Sequence, residues 1–379
     1  MFKLTEKQEA IRRAVDEFAL KEMAPFIPQW EVEGEMPLTL LKKLGDMGVL
    51  GILVPPEFGG SGGDYMTLAV VYEDLTTLTG AVCMDFAIHA SVEHSILGYG
   101  SDEQKQHYLR DLVGGKLLAA FALTEPTAGS DAAAIQTFAR REGDSYVING
   151  GKRFTTNGGR ADLYMVMART SKEKGAKAIS AFLVENGTPG FTFGRTENKM
   201  GVKYSPTREL FFKDVRIPAT ARLGQEGEGF KAALVNIDGA RICAAATGLG
   251  LAQAALSCAV AYARERIAPC SSFSTTQAQE FMLADMAVQV EAARLLTYQA
   301  AWLRDNGQEA IYAASMAKLF ATDTGVRVTS NAVQILGLDG CTKDYPVERH
   351  FREAKLAQIA EGTNEIQRMV ISRHLLGLR

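Results

Sequence analysis

The feature that most restricts the fold of this chain is a double change in hydrophobic periodicity. Up to about residue 115, and again from residue 226 onward, apolar residues recur at helical spacing, whereas the stretch between them alternates with a period of two. No helix-length segment separates the alternating runs, so parallel crossovers have no room. We therefore predict an α+β protein with an N-terminal helical domain (1–115), a middle antiparallel β-barrel or sandwich (116–225) and a C-terminal four-helix bundle (226–379).

Local signals support this division. Thr5 to Gln8 and Ser101 to Gln104 each have the pattern of a capping box, in which a hydroxyl and a Gln three residues later satisfy free helix N–H groups. The Gly248-Leu249-Gly250 segment lies in an Ala-rich helical stretch, so we attribute it to close helix packing. Stripes such as Met282, Met286, Val290 and Leu295 predict long, nearly fully buried helices. The predicted strands are 146–148, 163–167, 179–184 and 209–212.

Composition excludes several classes of protein. With 379 residues, 47% of them hydrophobic, the chain is long enough for two or three cores. A net charge of -3 gives no electrostatic reason to expect nucleic acid or a membrane as a partner. The five Cys are scattered without a C-x-x-C pair, and no two His have metal-ligand spacing, so we expect no disulfide framework and no metal site. The N-terminus lacks the pattern of a signal or transit peptide, so we expect a cytoplasmic protein.

The sequence lacks the familiar nucleotide motifs but contains two turns suited to a flat ligand. No G-x-G-x-x-G or G-x-x-x-x-G-K-[ST] is present, which disfavours a nicotinamide cofactor on a Rossmann fold. Residues 121–131 (FALTEPTAGSD) end a strand in a turn with small hydroxyls and a glycine, and residues 154–159 (FTTNGG) supply a second such set. Backbone N–H groups and hydroxyls in such turns can approach a polar ring or a pyrophosphate. Either turn alone would be an ordinary surface loop.

A third feature lies near the C-terminus, where Glu361 precedes Gly362 and helical spacing resumes through Ile366. A glutamate beside a glycine can move over a substrate, although most such glutamates cap helices.

Together, these features resemble the acyl-CoA dehydrogenase family over essentially the whole chain, in both its short- or medium-chain and its alicyclic members. The similarity rests on the Leu-Thr-Glu-Pro-x-x-Gly-Ser-Asp block, on 149–158, on 345–349 and on 361–363. The resemblance implies FAD as cofactor, an acyl-CoA substrate, an electron-transfer flavoprotein as acceptor and a homotetramer built as a dimer of dimers. It also implies removal of the α-proton by Glu361 and transfer of the β-hydride to flavin N5, giving an enoyl-CoA.

The resemblance also assigns binding residues. The thioester carbonyl would accept hydrogen bonds from the Glu361 N–H and from a ribityl hydroxyl. Some relatives carry the base at the position of Ala240, which cannot accept a proton. The implied FAD contacts are Phe121, Leu123, Thr124, Ser130, Phe154, Thr156, Thr363 and Glu365, with Arg266, Gln277, Gln334 and Leu338 reaching FAD across a subunit interface. The implied substrate contacts are Ser130, Asp238, Arg241 and Gly362.

Departures from the family pattern leave alternatives open. Ala360 replaces a common Tyr before the base, which widens the pocket, and Asp85 lies on the helix matched to the acyl tunnel. Asp85 either faces solvent or acts as a second acid-base group for an alicyclic acyl-CoA. Cys83 occupies the position of the Arg that binds the glutaryl carboxylate, which disfavours glutaryl-CoA. Pro269 and Leu338 alter the adenine-side motifs, so a non-catalytic acyl-CoA-binding flavoprotein remains a remote alternative.

Overall fold

A computed structural model describes residues 3–173, 175–234, 237–267 and 273–378, without the side chains of 267 and 273–276. Helices, a β-sheet and a second set of helices follow one another along the chain, which confirms the α+β architecture with helices at both ends.

The described residues of the N-terminal part, from residue 3 onward, form six α-helices. Both predicted capping boxes are present: the Thr5 and Ser101 side chains each accept a hydrogen bond from the third helical N–H, and the Gln side chain bonds back. The fifth of these helices, Gly80–Tyr99, is apolar on nearly all sides, because it lies between the sheet and the C-terminal helices. The helices are α1 (Glu6–Phe18), α2 (Ile27–Glu33), α3 (Leu38–Asp46), α4 (Tyr65–Leu78), α5 (Gly80–Tyr99) and α6 (Asp102–Val113).

In the middle part, the residues that the structure describes form one connected sheet of eight strands. The strands are β1 (Ala119–Ala122), β2 (Phe138–Glu142), β3 (Ser145–Thr156), β4 (Leu163–Arg169), β5 (Ile179–Glu185), β6 (Phe191–Thr196), β7 (Thr207–Pro218) and β8 (Arg222–Leu223). Their order is β6-β7-β3-β2-β4-β5-β8, with β1 paired to β4. All four predicted strand runs lie within β3, β4, β5 and β7.

The expectation of a wholly antiparallel sheet is wrong at β4. This strand pairs in parallel with β1, in the register Ala119 to Leu163, and also with the start of β2. The physical reason is that a parallel pair needs a connection of a dozen or more residues, which need not be a helix. Between β1 and β4 the antiparallel β2 and β3 provide that length.

The C-terminal part contains α7 (Gly229–Leu234), α8 (Ile237–Tyr262), α9 (Phe273–Asp305), α10 (Ile311–Leu336), α11 (Val347–Ala357) and α12 (Asn364–Leu375). The segment 229–266, described except at 235 and 236, is long and apolar enough to cross a membrane by length and composition, but 72% of its most apolar window is buried within the protein. It contacts α4, α9 and α10, so we assign it as a core helix.

α9 is buried on only one face. Met286 and Val290 lie in the core, as expected, but Leu295 is 41% exposed and the stripe predicted through it is therefore wrong at that position. Leu295 instead continues a second apolar stripe on the outer face of the helix. That stripe, hereafter the outer α9 stripe, consists of Phe281, Val288, Leu295 and Trp302.

α8 and α10 cross so closely that their backbones touch. A Cβ atom added at Gly248 would lie 2.8 Å from the carbonyl oxygen of Ala321, and one added at Gly325 would lie 3.0 Å from the carbonyl oxygen of Gly248. Gly250 approaches α4 still more closely, because a Cβ added there would lie 2.3 Å from the carbonyl oxygen of Glu73. The predicted role of Gly248 and Gly250 in helix packing is confirmed.

Candidate active site

Two turns at the ends of β1 and β3 form one continuous surface. The N–H of Arg153 donates to the Thr124 carbonyl at 2.8 Å, which joins the turn after β1 to β3. One face of this surface is open, whereas neighbouring side chains such as Ala122 and Thr155 are buried. The predicted cofactor residues lie on the open face, with Phe121, Leu123, Thr124 and Thr156 half-buried and Ser130 and Phe154 exposed.

A buried ion pair supports this surface from behind. The Lys152 ammonium donates to Glu125 Oε1 at 2.7 Å and to the Leu123 carbonyl at 3.0 Å. Glu125 also accepts from the N–H groups of Gln136 and Thr137, so one carboxylate ties together three parts of the chain. Burial lowers the pKa of Lys152 to about 8, while Glu125 opposes that shift.

Phe154 has an unusual backbone conformation for an aromatic residue. Its φ is +54°, in the left-handed region, and its ring is 55% exposed beneath the Arg153 guanidinium at 4.7 Å. Non-glycine residues with positive φ are uncommon and occur often at functional sites. The strain holds an aromatic ring on the open surface that a packed core would normally bury.

Glu361 lies in the short loop between α11 and α12, outside any helix. Its φ is +55° and Gly362 follows with a φ of +83°, so the chain turns sharply at the carboxylate. The side chain is half-buried, and burial raises the pKa of Glu361 although Lys318 opposes the shift. The backbone N–H of Glu361 has no hydrogen-bond partner among the residues described. A carboxylate poised to accept a proton and a free N–H donor therefore share one residue.

Asp238 and Arg241 lie in the first turns of α8. Both side chains are buried, and their charged atoms are 3.9 Å apart, too far for a direct hydrogen bond. Within the described part of the chain, Nε and Nη1 of Arg241 and Oδ1 of Asp238 have no hydrogen-bond partner. Buried polar atoms without partners are rare, so this pair is suited to contact a polar ligand.

Comparison with known proteins identifies the chain. Models of the N-terminal, middle and C-terminal domains of acyl-CoA dehydrogenases match residues 5–116, 120–215 and 227–376. The chain belongs to the acyl-CoA dehydrogenase family. It is an FAD-dependent oxidoreductase that acts on acyl-CoA thioesters.

Individual acyl-CoA dehydrogenases are similar over their full length. An acyl-CoA dehydrogenase of Bacillus subtilis is 45% identical over 99% of both chains, and a short-chain specific acyl-CoA dehydrogenase of Clostridium acetobutylicum is 43% identical over 98% of both. The solved structure of butyryl-CoA dehydrogenase from Megasphaera elsdenii is 42% identical, with a TM-score of 0.95 over 99% of this chain and 100% of that one. A structure described as electron transferring flavoprotein of Acidaminococcus fermentans is 46% identical, with a TM-score of 0.95 over 99% of both chains.

The surface formed by the two turns fits FAD. It combines apolar side chains with hydroxyl groups that could donate to a polar ring, and the ion pair beneath it holds both turns in place. Ser130, Thr124 and Thr156 would hold the polar parts of the cofactor, and Phe121, Leu123 and Phe154 would pack against its flat faces.

The residues assigned to FAD across a subunit interface lie on the protein surface. Arg266, Gln277, Gln334 and Leu338 are all exposed, Leu338 by 87%, and Pro269 lies outside the described residues. Of the remaining assignments, Thr363 caps α12 by accepting from the Ile366 N–H, Glu365 is exposed in the first turn of α12, and Gly362 is exposed. No hydrogen bond or ion pair between described residues joins the Glu361 loop to the two cofactor turns.

Asp85 is buried against the middle domain. It is 2% exposed, so the alternative in which it faces solvent is excluded. The hydroxyl of Ser205 donates to Oδ1, and the guanidinium of Arg160 lies 3.8 Å from Oδ2. Burial raises the pKa of Asp85 to about 6, against the opposing effect of Arg160.

Sequence reasoning missed the buried residues that support the site. Lys152 lies in the 149–158 block, but nothing in the adjacent sequence indicates that its partner is Glu125. Lys318 is fully buried on α10 and bonds to the Glu361 loop, and no local pattern signals this role. A lysine in an apolar helical stretch was the available signal, since lysine is rarely buried without a partner.

Proposed function

We propose that this enzyme oxidises short-chain acyl-CoA thioesters to enoyl-CoA, with Glu361 as the base that removes the α-proton. The observation that carries the proposal is the combination of a half-buried carboxylate, a pKa raised by burial and a free backbone N–H at one residue. The short-chain preference is supported by the similarity to the short-chain and butyryl-CoA enzymes.

Each group at the site has a separate task in this reaction. Bound FAD supplies the acceptor for the β-hydride. The Glu361 carboxylate takes the α-proton, and the Glu361 N–H donates to the thioester oxygen, where negative charge develops as the proton leaves. Because the donor and the base belong to one residue, the turn at Glu361 fixes the spacing between them.

The substrate would be held by Asp238 and Arg241. Their unpartnered buried atoms can form hydrogen bonds to the polar pantetheine or phosphate groups of CoA. With the CoA portion fixed, the reacting carbons lie at a constant distance from the base.

The reaction should depend on pH through Glu361. Only the ionised carboxylate accepts the proton, and burial raises the pKa of Glu361, so the rate of flavin reduction should rise with pH through that raised pKa.

The test is the variant Glu361→Gln. It keeps the size of the side chain and the backbone N–H, so we expect FAD and butyryl-CoA still to bind. The rate of anaerobic flavin bleaching by butyryl-CoA should fall by at least about 100-fold. Glu17→Gln, at an exposed glutamate of α1, is the matched control and should bleach normally. Near-normal bleaching by Glu361→Gln would refute the assignment of the base.

We further propose a homotetramer that passes electrons to an electron-transfer flavoprotein. The outer α9 stripe supports the assembly, because four large apolar side chains at seven-residue spacing on one helix suit contact with a second copy. The likeness to the structure described as electron transferring flavoprotein supports the choice of acceptor.

A second candidate function is the dehydrogenation of an alicyclic acyl-CoA with Asp85 as an additional acid-base group. It is favoured by the pKa of Asp85, raised to about 6, and by Oδ2 of Asp85, which has no hydrogen-bond partner among the described residues. The contacts to Ser205 and Arg160 instead support a structural role.

A further inference from the structure

Lys318 is the least exposed cation near the proposed base. It lies in the second turn of α10 with 0% exposure, whereas surface lysines normally keep the ammonium in water. An isolated buried ammonium is strongly unfavourable, so its partners must compensate for the lost hydration.

Those partners lie at the two ends of the Glu361 loop. The Lys318 ammonium donates to the carbonyl of Gln358, where α11 has ended, at 3.2 Å. It also donates to Oδ1 of Asn364, where α12 begins, at 2.8 Å. The Asn364 N–H donates to the same Gln358 carbonyl at 3.0 Å, so the three residues close the loop into a ring.

One turn further along, α10 reinforces the same two anchors. Thr322 exchanges hydrogen bonds with the Asn364 side chain at 3.0 and 3.1 Å. Asp323 accepts at 2.7 Å from the side-chain amides of both Gln358 and Asn364. A single face of α10 therefore fixes both ends of the loop, and the left-handed turn at Glu361 lies between them.

The charges around Lys318 connect it to the carboxylate. Glu361 is the acidic group that acts most strongly on Lys318, followed by Asp323 and Glu365, whereas Arg241 opposes the positive charge from α8. In turn, Lys318 opposes the effect of burial on Glu361. Cys243 on α8 also faces Glu361, but burial raises the pKa of its thiol to about 12, so it stays neutral.

We propose that Lys318 is a positioning residue for proton abstraction, which holds both ends of the Glu361 loop and supplies the positive charge that favours the ionised carboxylate. This inference rests on the proposed role of Glu361 as the base. Burial lowers the pKa of Lys318 to about 8, so the ammonium is charged at pH 7, and the proton from the substrate goes to the Glu361 carboxylate.

The experiment measures flavin reduction by butyryl-CoA from pH 5.5 to pH 9 in the holoenzyme. Lys318→Met removes the charge and both hydrogen bonds, and Lys318→Gln keeps a donor of similar length without the charge. Thr322→Val is the matched control, since it loosens the Asn364 anchor and leaves the ammonium in place. Thermal unfolding of each variant tests whether it is folded.

We expect both Lys318 variants to shift the pH profile by at least one unit toward higher pH and to lose at least 10-fold in rate at pH 7. The rate should recover at high pH more fully in Lys318→Gln than in Lys318→Met. Thr322→Val should lower the rate at every pH and leave the midpoint of the profile unchanged.

Three results would overturn the inference. The first is a pH profile whose midpoint is the same in both Lys318 variants as in the unmodified enzyme. The second is the same shift in Thr322→Val, and the third is failure of both Lys318 variants to fold while Thr322→Val folds, which would show a purely structural role. Glu361→Gln in the same assay tests the proposed function separately from the role of Lys318. A normal rate in that variant would show that Glu361 is not the base.

Discussion

At the scale of single residues, the acidic groups of this protein differ by their surroundings rather than by their chemistry. Glu361 and Asp85 are carboxylates with pKa values raised by burial, but one has a free backbone donor beside it and the other is bonded to Ser205 and close to Arg160. A raised pKa is therefore a poor guide to the base unless the neighbouring donors are considered with it.

Asp85 should affect stability in a way that depends on pH. Its pKa in the folded protein is about 6 against an ordinary value of 3.8, so its contribution to stability is present below pH 3.8 and is lost as the pH rises through 6. The Asp85→Asn variant does not lose this stability, because the Asn side chain does not ionise. Relative to the unmodified protein, the variant should gain about 2 kcal/mol in free energy of unfolding between pH 4 and pH 7. The whole shift corresponds to about 3 kcal/mol, at about 1.4 kcal/mol per pKa unit, and part of this loss has already occurred at pH 4. Urea unfolding at the two pH values measures the difference.

The same variant separates the two functions considered for Asp85. A structural role predicts similar rates of Asp85→Asn with butyryl-CoA and with cyclohex-1-ene-carboxyl-CoA. A loss of rate confined to the cyclic substrate would establish Asp85 as an acid-base group. Asp144→Asn, at an exposed turn, controls for the removal of one negative charge.

The sequence indicates Glu361 as a candidate base but does not indicate that Lys318 holds the loop around it. Glu361 stands in a short motif with Gly362, and both the turn and the carboxylate are local features. The partners of Lys318 are 40 and 46 residues away along the chain, so their hydrogen bonds arise only from the packing of α10 against the loop.

At the scale of secondary-structure elements, the two cofactor turns depend on the ion pair between Glu125 and Lys152. Lys152→Met would leave the Glu125 carboxylate buried without its cation, which costs about 3–5 kcal/mol. We expect lower thermal stability and loss of FAD on gel filtration, seen as a fall in the ratio of absorbance at 450 nm to that at 280 nm.

A double variant tests whether the pair acts as a unit. Glu125→Gln combined with Lys152→Met removes both charges, so it should recover part of the stability that Lys152→Met loses. Equal losses in the single and double variants would show that the two side chains are independent. Lys231→Met, at an exposed lysine paired with Glu228, is the control for loss of a surface ion pair.

Strands were predictable where an apolar or alternating run was long enough to be distinctive. β3, β4, β5 and β7 contain the four predicted runs, whereas β1 and β8 span four and two residues and carry too few positions for a period of two to be visible. The parallel pairing of β1 with β4 depends on contacts between distant segments. Helix starts were predicted at Thr5 and Ser101 because a capping box is wholly local.

At the scale of the whole molecule, the outer α9 stripe should control assembly. Val288→Glu places a charge in the middle of the stripe, so we expect the proposed tetramer to dissociate into smaller species, with weaker FAD retention. Light scattering coupled to gel filtration gives the mass of each species.

A matched substitution on another surface is available. Val32 on α2 is 88% exposed, compared with 70% for Val288, so Val32→Glu introduces the same charge away from α9. Assembly should be unchanged in this variant. A Val288→Glu protein with the mass of the unmodified assembly would contradict the assignment of the stripe.

The crossing of α8 and α10 links the interior of the bundle to the site. Arg241 and Lys318 each lie about two helical turns before the crossing glycine of their own helix, Gly248 and Gly325. One backbone contact therefore sets the alignment of two cations at once. A single extra methyl group at this crossing would displace both cations together. Substitution of either glycine should therefore abolish turnover although neither glycine contacts the substrate.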